Sequence, residues 1–182
     1  MPPAWCNDIV HLNPYGEYAV RLAAELVNDP PATVDALVCR CLEAGLVIDF
    51  PVGAGDLRDV EAMLERWCGI VDATGDAERA ALVNEMLAAA SAYPRMTNHA
   101  GDGWHLHYRD DQYSLAGVLE ALISVGTALH LVGRGMHRLG RCALDECDDV
   151  YADTSRNGRQ RYCSPRCANR DAVRRHRAVR AG

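Results

Sequence analysis

Through about the first ninety residues, apolar side chains recur every three or four positions, and each run stops at a glycine or proline. In "GEYAVRLAAELVND", Tyr15, Tyr18, Ala19, Leu22, Ala23 and Leu26 share one helical face, and Pro30-Pro31 ends the run. "TVDALVCRCLEAG" offers Thr33 as an N-cap and Gly45 as a stop. "GLVIDFPV" is a short β-like run. "DLRDVEAMLERWCGIVDATG" stacks Leu57, Val60, Leu64, Trp67 and Val71 and stops near Gly75. "DAERAALVNEMLAAASAY" repeats the helical spacing with Leu82, Val83, Met86 and Ala90, and Pro94 closes it.

The period then changes to two. "RMTNHAGDGWHLHYRD" reads as strand, glycine-containing turn and strand. Trp104, Leu106 and Tyr108 alternate with His105, His107 and Arg109, so the first set is expected to pack on the helices while the second faces outward. A His-x-His pair beside an arginine can hold a metal or an anion, with His99 across the hairpin; an ordinary exposed hairpin face explains the same residues. A pocket lined by Trp67, Trp104 and Tyr108 is a further alternative. From Ser114 to about Gly133 the chain is almost continuously apolar, but Glu120, His130 and several glycines favour a buried core helix over a membrane span.

Charge divides the chain in two. The net charge of -6 combines an acidic body, with 19 Asp and Glu against 7 Arg up to residue 133, with a tail of 12 Arg against 6 acids. Lysine is absent throughout. A basic tail on an acidic body implies a polyanionic partner for the tail alone. The N-terminus has neither a basic start nor an apolar run, so no signal peptide is readable. Eight cysteines without an export signal point to a reducing cytoplasm and to thiol or metal chemistry rather than disulfides.

Four of those cysteines, Cys142, Cys147, Cys163 and Cys167, form two close pairs separated by a turn-rich insert containing Thr154, Ser155, Asn157 and Gly158. Two pairs folded together suit a tetrahedral Zn²⁺, and four thiolates leave it no open position, so the one expected zinc is structural. Ser164-Pro165 is a helix opening that places Cys167 in the first turn. A knuckle, a hairpin in the insert and a closing helix describe a treble-clef zinc finger. Cys39, Cys41, Cys6 and Cys68 read as small core residues. Arg166, Arg170, Arg174 and Arg177 lie at i, i+4, i+8 and i+11 on the closing helix, flanked by Arg175 and Arg180. Arg156, Arg159 and Arg161 add charge from the insert. Guanidinium forks on a metal-fixed frame suit phosphate oxygens of nucleic acid.

"CALDEC", "DTSRNGRQRYCS", "CANR" and "RRHR" together resemble the CGNR zinc finger, with Ala168 in place of the eponymous glycine and Tyr162 in place of the usual tryptophan. Fingers of that kind commonly follow an ABATE domain, associated with stress-induced transcription regulation, and "LVND" at Leu26 to Asp29 is similar to a motif of that domain. The resemblance implies a bacterial transcription regulator. The fold expected is α+β: a mainly helical domain with a β-hairpin over 1–133, a linker over 134–141, and a treble-clef-like finger over 142–182. The expected partner is duplex DNA, with room for a small-molecule effector of the first domain and for a homodimer. RNA binding or a protein–protein adaptor role for the same zinc module is the alternative. Catalysis is not expected, because no Ser-His-Asp order, phosphate loop or HExxH is present.

Overall fold

The computed structural model describes residues 16–97, 104–108 and 114–181. Among the described residues, five helices build the first domain: α1 (Glu17–Asn28), α2 (Val34–Glu43), α3 (Gly55–Asp72), α4 (Asp76–Ala90) and α5 (Leu115–Arg134). α5 lies at the centre against α1, α3 and α4. Its composition explains the position: Leu115, Ala116, Ser124, Ala121 and Val118 are buried on successive sides all round the helix. α5 is the one described helix long and apolar enough to cross a membrane, and most of it is buried inside the protein.

Small residues let α1 meet α5 closely. A Cβ on Gly126 would fall 2.3 Å from the Ala19 Cβ, and one on Gly16 would fall 1.9 Å from the Gly126 carbonyl oxygen. Polar side chains then close the helix ends. Thr33 accepts from the Ala36 N–H at 3.1 Å, as its N-cap position predicts. Buried Asp56 reaches from α3 to the start of α5, accepting from the Ala116 N–H at 2.8 Å and the Gly53 N–H at 2.7 Å. Arg79 gathers the last carbonyls of α3, donating to Ile70, Val71 and Ala73 at 2.8–3.0 Å.

Two expectations fail in this domain. The "GLVIDFPV" run forms no strand, because no described strand lies beside it to complete a ladder. The hairpin is present as antiparallel β1 (Arg95–Thr97) and β2 (His105–His107), with Met96 opposite Leu106, but its apolar residues do not pack inward. Trp104 is 69% exposed, and Leu106 and Met96 are exposed too, while Tyr108 and His107 are half-buried. The described helices bury their apolar residues against α5 and one another instead. Trp67 is fully buried and bonds the Thr127 hydroxyl, so it shares no pocket with exposed Trp104.

The chain continues through a 3-10 turn (Met136–Arg138) into β3 (Leu139–Arg141), β4 (Val150–Ala152) and α6 (Pro165–Ala181). Residues 134–141, expected as a linker, are built into the structure instead. Leu139 and Val150 are buried in the same apolar cluster as Leu26, Trp67 and Ile123. Asn28, at the end of α1, behaves like a neighbouring strand: its amide donates to the Val150 carbonyl at 2.9 Å and accepts from the Val150 N–H at 2.8 Å. Arg141 forks onto Asp72 at 2.7 and 2.8 Å, and Arg21 donates to the Thr154 hydroxyl at 2.6 Å. The C-terminal module is therefore docked onto the helical domain through both core packing and polar contacts.

Candidate metal centre and basic helix

β3 and β4 pair antiparallel, with Leu139 opposite Ala152 and Arg141 opposite Val150, and the turn between them carries the first two cysteines. The Cys142 N–H donates to the Asp149 carbonyl at 2.8 Å, and the Cys147 N–H donates to that of Leu144 at 2.9 Å. These bonds curl the knuckle so that both thiols point the same way. The second pair comes from the start of α6. Ser164 caps that helix, its hydroxyl accepting from the Cys167 N–H at 3.4 Å, and Pro165 supplies the first helical residue, as expected.

The expected hairpin in the insert is absent: 153–160 is a turn-rich loop, and the two strands flank the knuckle instead. A side chain that sequence reasoning passed over holds this loop. Asp153, 1% exposed, accepts from the Ser155 N–H at 2.9 Å, the Ser155 hydroxyl at 2.5 Å and the Gln160 N–H at 3.0 Å. Burial alone would raise its carboxyl, but those hydrogen bonds and the nearby Arg138 outweigh it and hold the group below its ordinary range. Buried Arg138 lies 3.5 Å from Asp153 and donates to the carbonyls of Arg134 and Ser155 at 2.9 and 2.6 Å. Gly158 lies over this guanidinium with φ +64; a Cβ there would fall 2.8 Å from the Arg138 Cζ. The Asp-Thr-Ser triplet, an Asx-type turn former, was the available signal for this anchor.

Sγ atoms of Cys147, Cys163 and Cys167 lie 3.6, 3.7 and 3.8 Å apart, and Cys142 completes a group whose sulfurs all lie within 4.8 Å of one another. A tetrahedron with Zn–S bonds of about 2.3 Å has edges of roughly 3.8 Å, so the spacing fits that ion. The Asp149 N–H favours the Cys147 thiolate, but burial and contacts with Cys142 and Cys167 win and push the thiol up to about 11. Burial and the Asp149 carboxylate push Cys163 up as well, whereas the Ser164 hydroxyl lowers Cys167. Thiols held protonated by their surroundings become ligands when a dication takes up the negative charge. Residues 138–180 match the CGNR zinc finger family. The four cysteines of this CGNR finger suit one structural zinc ion, held entirely by protein thiolates. No curated protein matches the chain.

Elsewhere, Cys41 is fully buried, and burial raises its thiol to about 11. Cys68 is half-buried, but Cys39 is exposed and so is not the core residue expected. Cys6 lies outside the described residues.

The nine arginines from Arg156 to Arg180 are all exposed, yet they are not one free stripe. Glu146 of the knuckle pairs with Arg170 at 3.1 Å and with Arg174 at 3.0 Å, and Asp145 pairs with Arg174 as well. Asp171 pairs with Arg175 at 2.9 Å and accepts from the Tyr162 hydroxyl at 2.6 Å. Arg156, Arg159, Arg161, Arg166, Arg177 and Arg180 have no ion pair among the described residues. Of the ligand candidates on the first domain, His105 and His107 lie in β2, and Arg109 and His99 lie outside the described residues. A groove of about 390 Å³ lies elsewhere, between α1 and α2, and includes Glu17, Arg21, Glu25, Arg40 and Glu43 in its lining.

Proposed function

We propose that this protein is a bacterial transcription regulator that binds duplex DNA through its zinc-fixed C-terminal module. The observation that carries the reading is the set of six exposed, acid-free arginines on a loop and a helix joined to one metal centre. A rigid frame lets several guanidinium groups meet phosphates without first losing backbone freedom. The acidic first domain, with a formal balance of -12 up to residue 133, is repelled by the same polyanion and so keeps the finger as the binding end. That domain serves as the regulatory part, in the manner of an ABATE domain, and reaches the finger through Asn28, Arg21 and the Asp72–Arg141 pair. The work of the module is binding; four thiolate ligands leave the zinc no position for substrate.

Fluorescence anisotropy of the zinc-loaded chain with duplex DNA, and with RNA of the same sequence, tests this. Each arginine that meets a phosphate steepens log K against log salt by about 0.9 on duplex. Binding to RNA alone, or duplex binding that salt leaves unchanged, defeats the proposal.

A further inference from the structure

The contacts that hold α6 to the finger all leave from one side of the helix. Successive residues turn by about 100° around an α-helix. On that geometry the metal-ligating Cys167, the Glu146 partners Arg170 and Arg174, and the Tyr162 partner Asp171 fall together on the inner side. The opposite side carries Asn169, Ala172, Val173, His176 and Arg180, with Arg166 and Arg177 along its edge, and all of them are exposed. Val173 is 51% exposed and lies between Asn169 and Arg177 along the helix. A helix that only gripped phosphates would have no use for an apolar centre between an amide and arginines.

Resting on the DNA-binding reading above, we propose that the outer face of α6 enters the major groove and reads base edges, with Asn169, Val173 and Arg177 as the reading residues. The chemistry of each matches one kind of edge. A carboxamide pairs in two-point fashion with adenine, a branched apolar side chain meets the thymine methyl, and a guanidinium forks onto guanine. Positions 169, 173 and 177 follow i, i+4 and i+8, so they form one row along the groove floor. Arg156, Arg159 and Arg161, on the loop anchored by Asp153, supply the phosphate contacts that set the register of the helix. Arg170 and Arg174 act as braces: tied to Asp145 and Glu146, they fix the angle at which the helix leaves the metal centre. The occupant is duplex DNA and not RNA, since the deep, narrow major groove of A-form RNA excludes a helix.

The test uses the zinc-loaded full chain. Its preferred duplex is selected from a random pool and compared with a scrambled duplex by anisotropy. Asn169→Ala and Val173→Ala are each expected to cut discrimination between the two, by roughly 5- to 150-fold for Asn169→Ala and less for Val173→Ala, while leaving scrambled-duplex affinity and its salt slope in place. Replacing thymine by uracil in the selected site is expected to weaken the parent chain and to leave Val173→Ala unaffected. Arg156→Ala is expected to weaken both duplexes alike and to reduce the salt slope by about 0.9. Unchanged zinc content and far-UV circular dichroism confirm that each exposed-site variant is folded. Duplex binding without sequence preference, or with a preference that survives both helix variants, overturns base reading and leaves DNA binding standing. A change in oligomeric state caused by Val173→Ala, with discrimination intact, assigns the face to a second copy of the chain and also overturns it. Failure to bind any duplex overturns the DNA-binding reading itself.

Discussion

The Asn28 side chain is the clearest place to test how the two parts of this chain are joined. Its amide makes both strand-like hydrogen bonds to Val150, at 2.8 and 2.9 Å, on a strand whose other edge is taken by β3. Val150 is 1% exposed, so these bonds close off main-chain groups that otherwise lie open at a sheet edge. Asn28→Ala removes both. A net hydrogen bond contributes about 1 kcal/mol, while a stranded buried group costs about 1–3 kcal/mol. Asn28 is itself exposed, so water can enter where the amide was, and the expected loss stays near two net bonds, about 2 kcal/mol. For a protein of this size that corresponds to a fall in Tm of roughly 4–8 °C. Asn28→Asp keeps an acceptor for the Val150 N–H but sets a second acceptor against the Val150 carbonyl, so at neutral pH it is expected to be no better than alanine. Urea and thermal unfolding with zinc in excess, followed by circular dichroism, measure both. If both variants stay within about 0.5 kcal/mol of the parent, the amide is not what closes the edge of β4, and the docking argument fails.

Elemental analysis of the purified chain should find one zinc per molecule, and chelation should collapse the chemical-shift dispersion of residues 142–181, since such sites contribute about 10–16 kcal/mol of apparent binding energy. Because Leu139 and Val150 belong to the shared core, chelation should also lower the Tm of the helical domain; an unshifted helical transition would show that the two parts fold separately. Asp153→Asn is expected to cost about 3 kcal/mol at neutral pH by leaving buried Arg138 without its carboxylate. The folded Asp153 carboxyl lies below its ordinary range, so its contribution is complete above the unfolded value of about 3.9 and is lost only as pH falls below that. The stability gap between parent and Asp153→Asn should therefore be constant from pH 7 to 5; narrowing within that window would mean the carboxyl is raised instead.

Local chemistry made much of the fold readable. Helical periodicity placed α1 to α4, an apolar run placed α5 and the Ser164-Pro165 opening placed α6; Thr33, Ser114 and Ser164 are caps that bond their own nearby N–H groups, and the pairing of the cysteines anticipated the thiol cluster. Each of these depends on residues within a few positions of one another or on a ligand set that only folding around a metal satisfies. The hairpin and the "GLVIDFPV" run misled for the opposite reason. Alternation records that one side of a strand is apolar, but it does not say whether another element remains free to cover that side, and here the helices had already covered one another.

Composition and spacing by themselves determined that the tail is basic, that four thiols form a closed metal site and that a helix bearing arginines leaves it. Tertiary structure alone decided which arginines are free. Asp145 and Glu146 lie more than twenty positions from Arg170 and Arg174 and meet them only because the knuckle folds back over α6. It also decided that residues 134–141 are docked structure rather than linker, since Leu139 joins the shared core and Arg141 finds Asp72 across 69 positions of chain. Charge reach and edge pairing act through space, and a one-dimensional pattern holds no record of which distant carboxylate or amide the fold will bring within 3 Å.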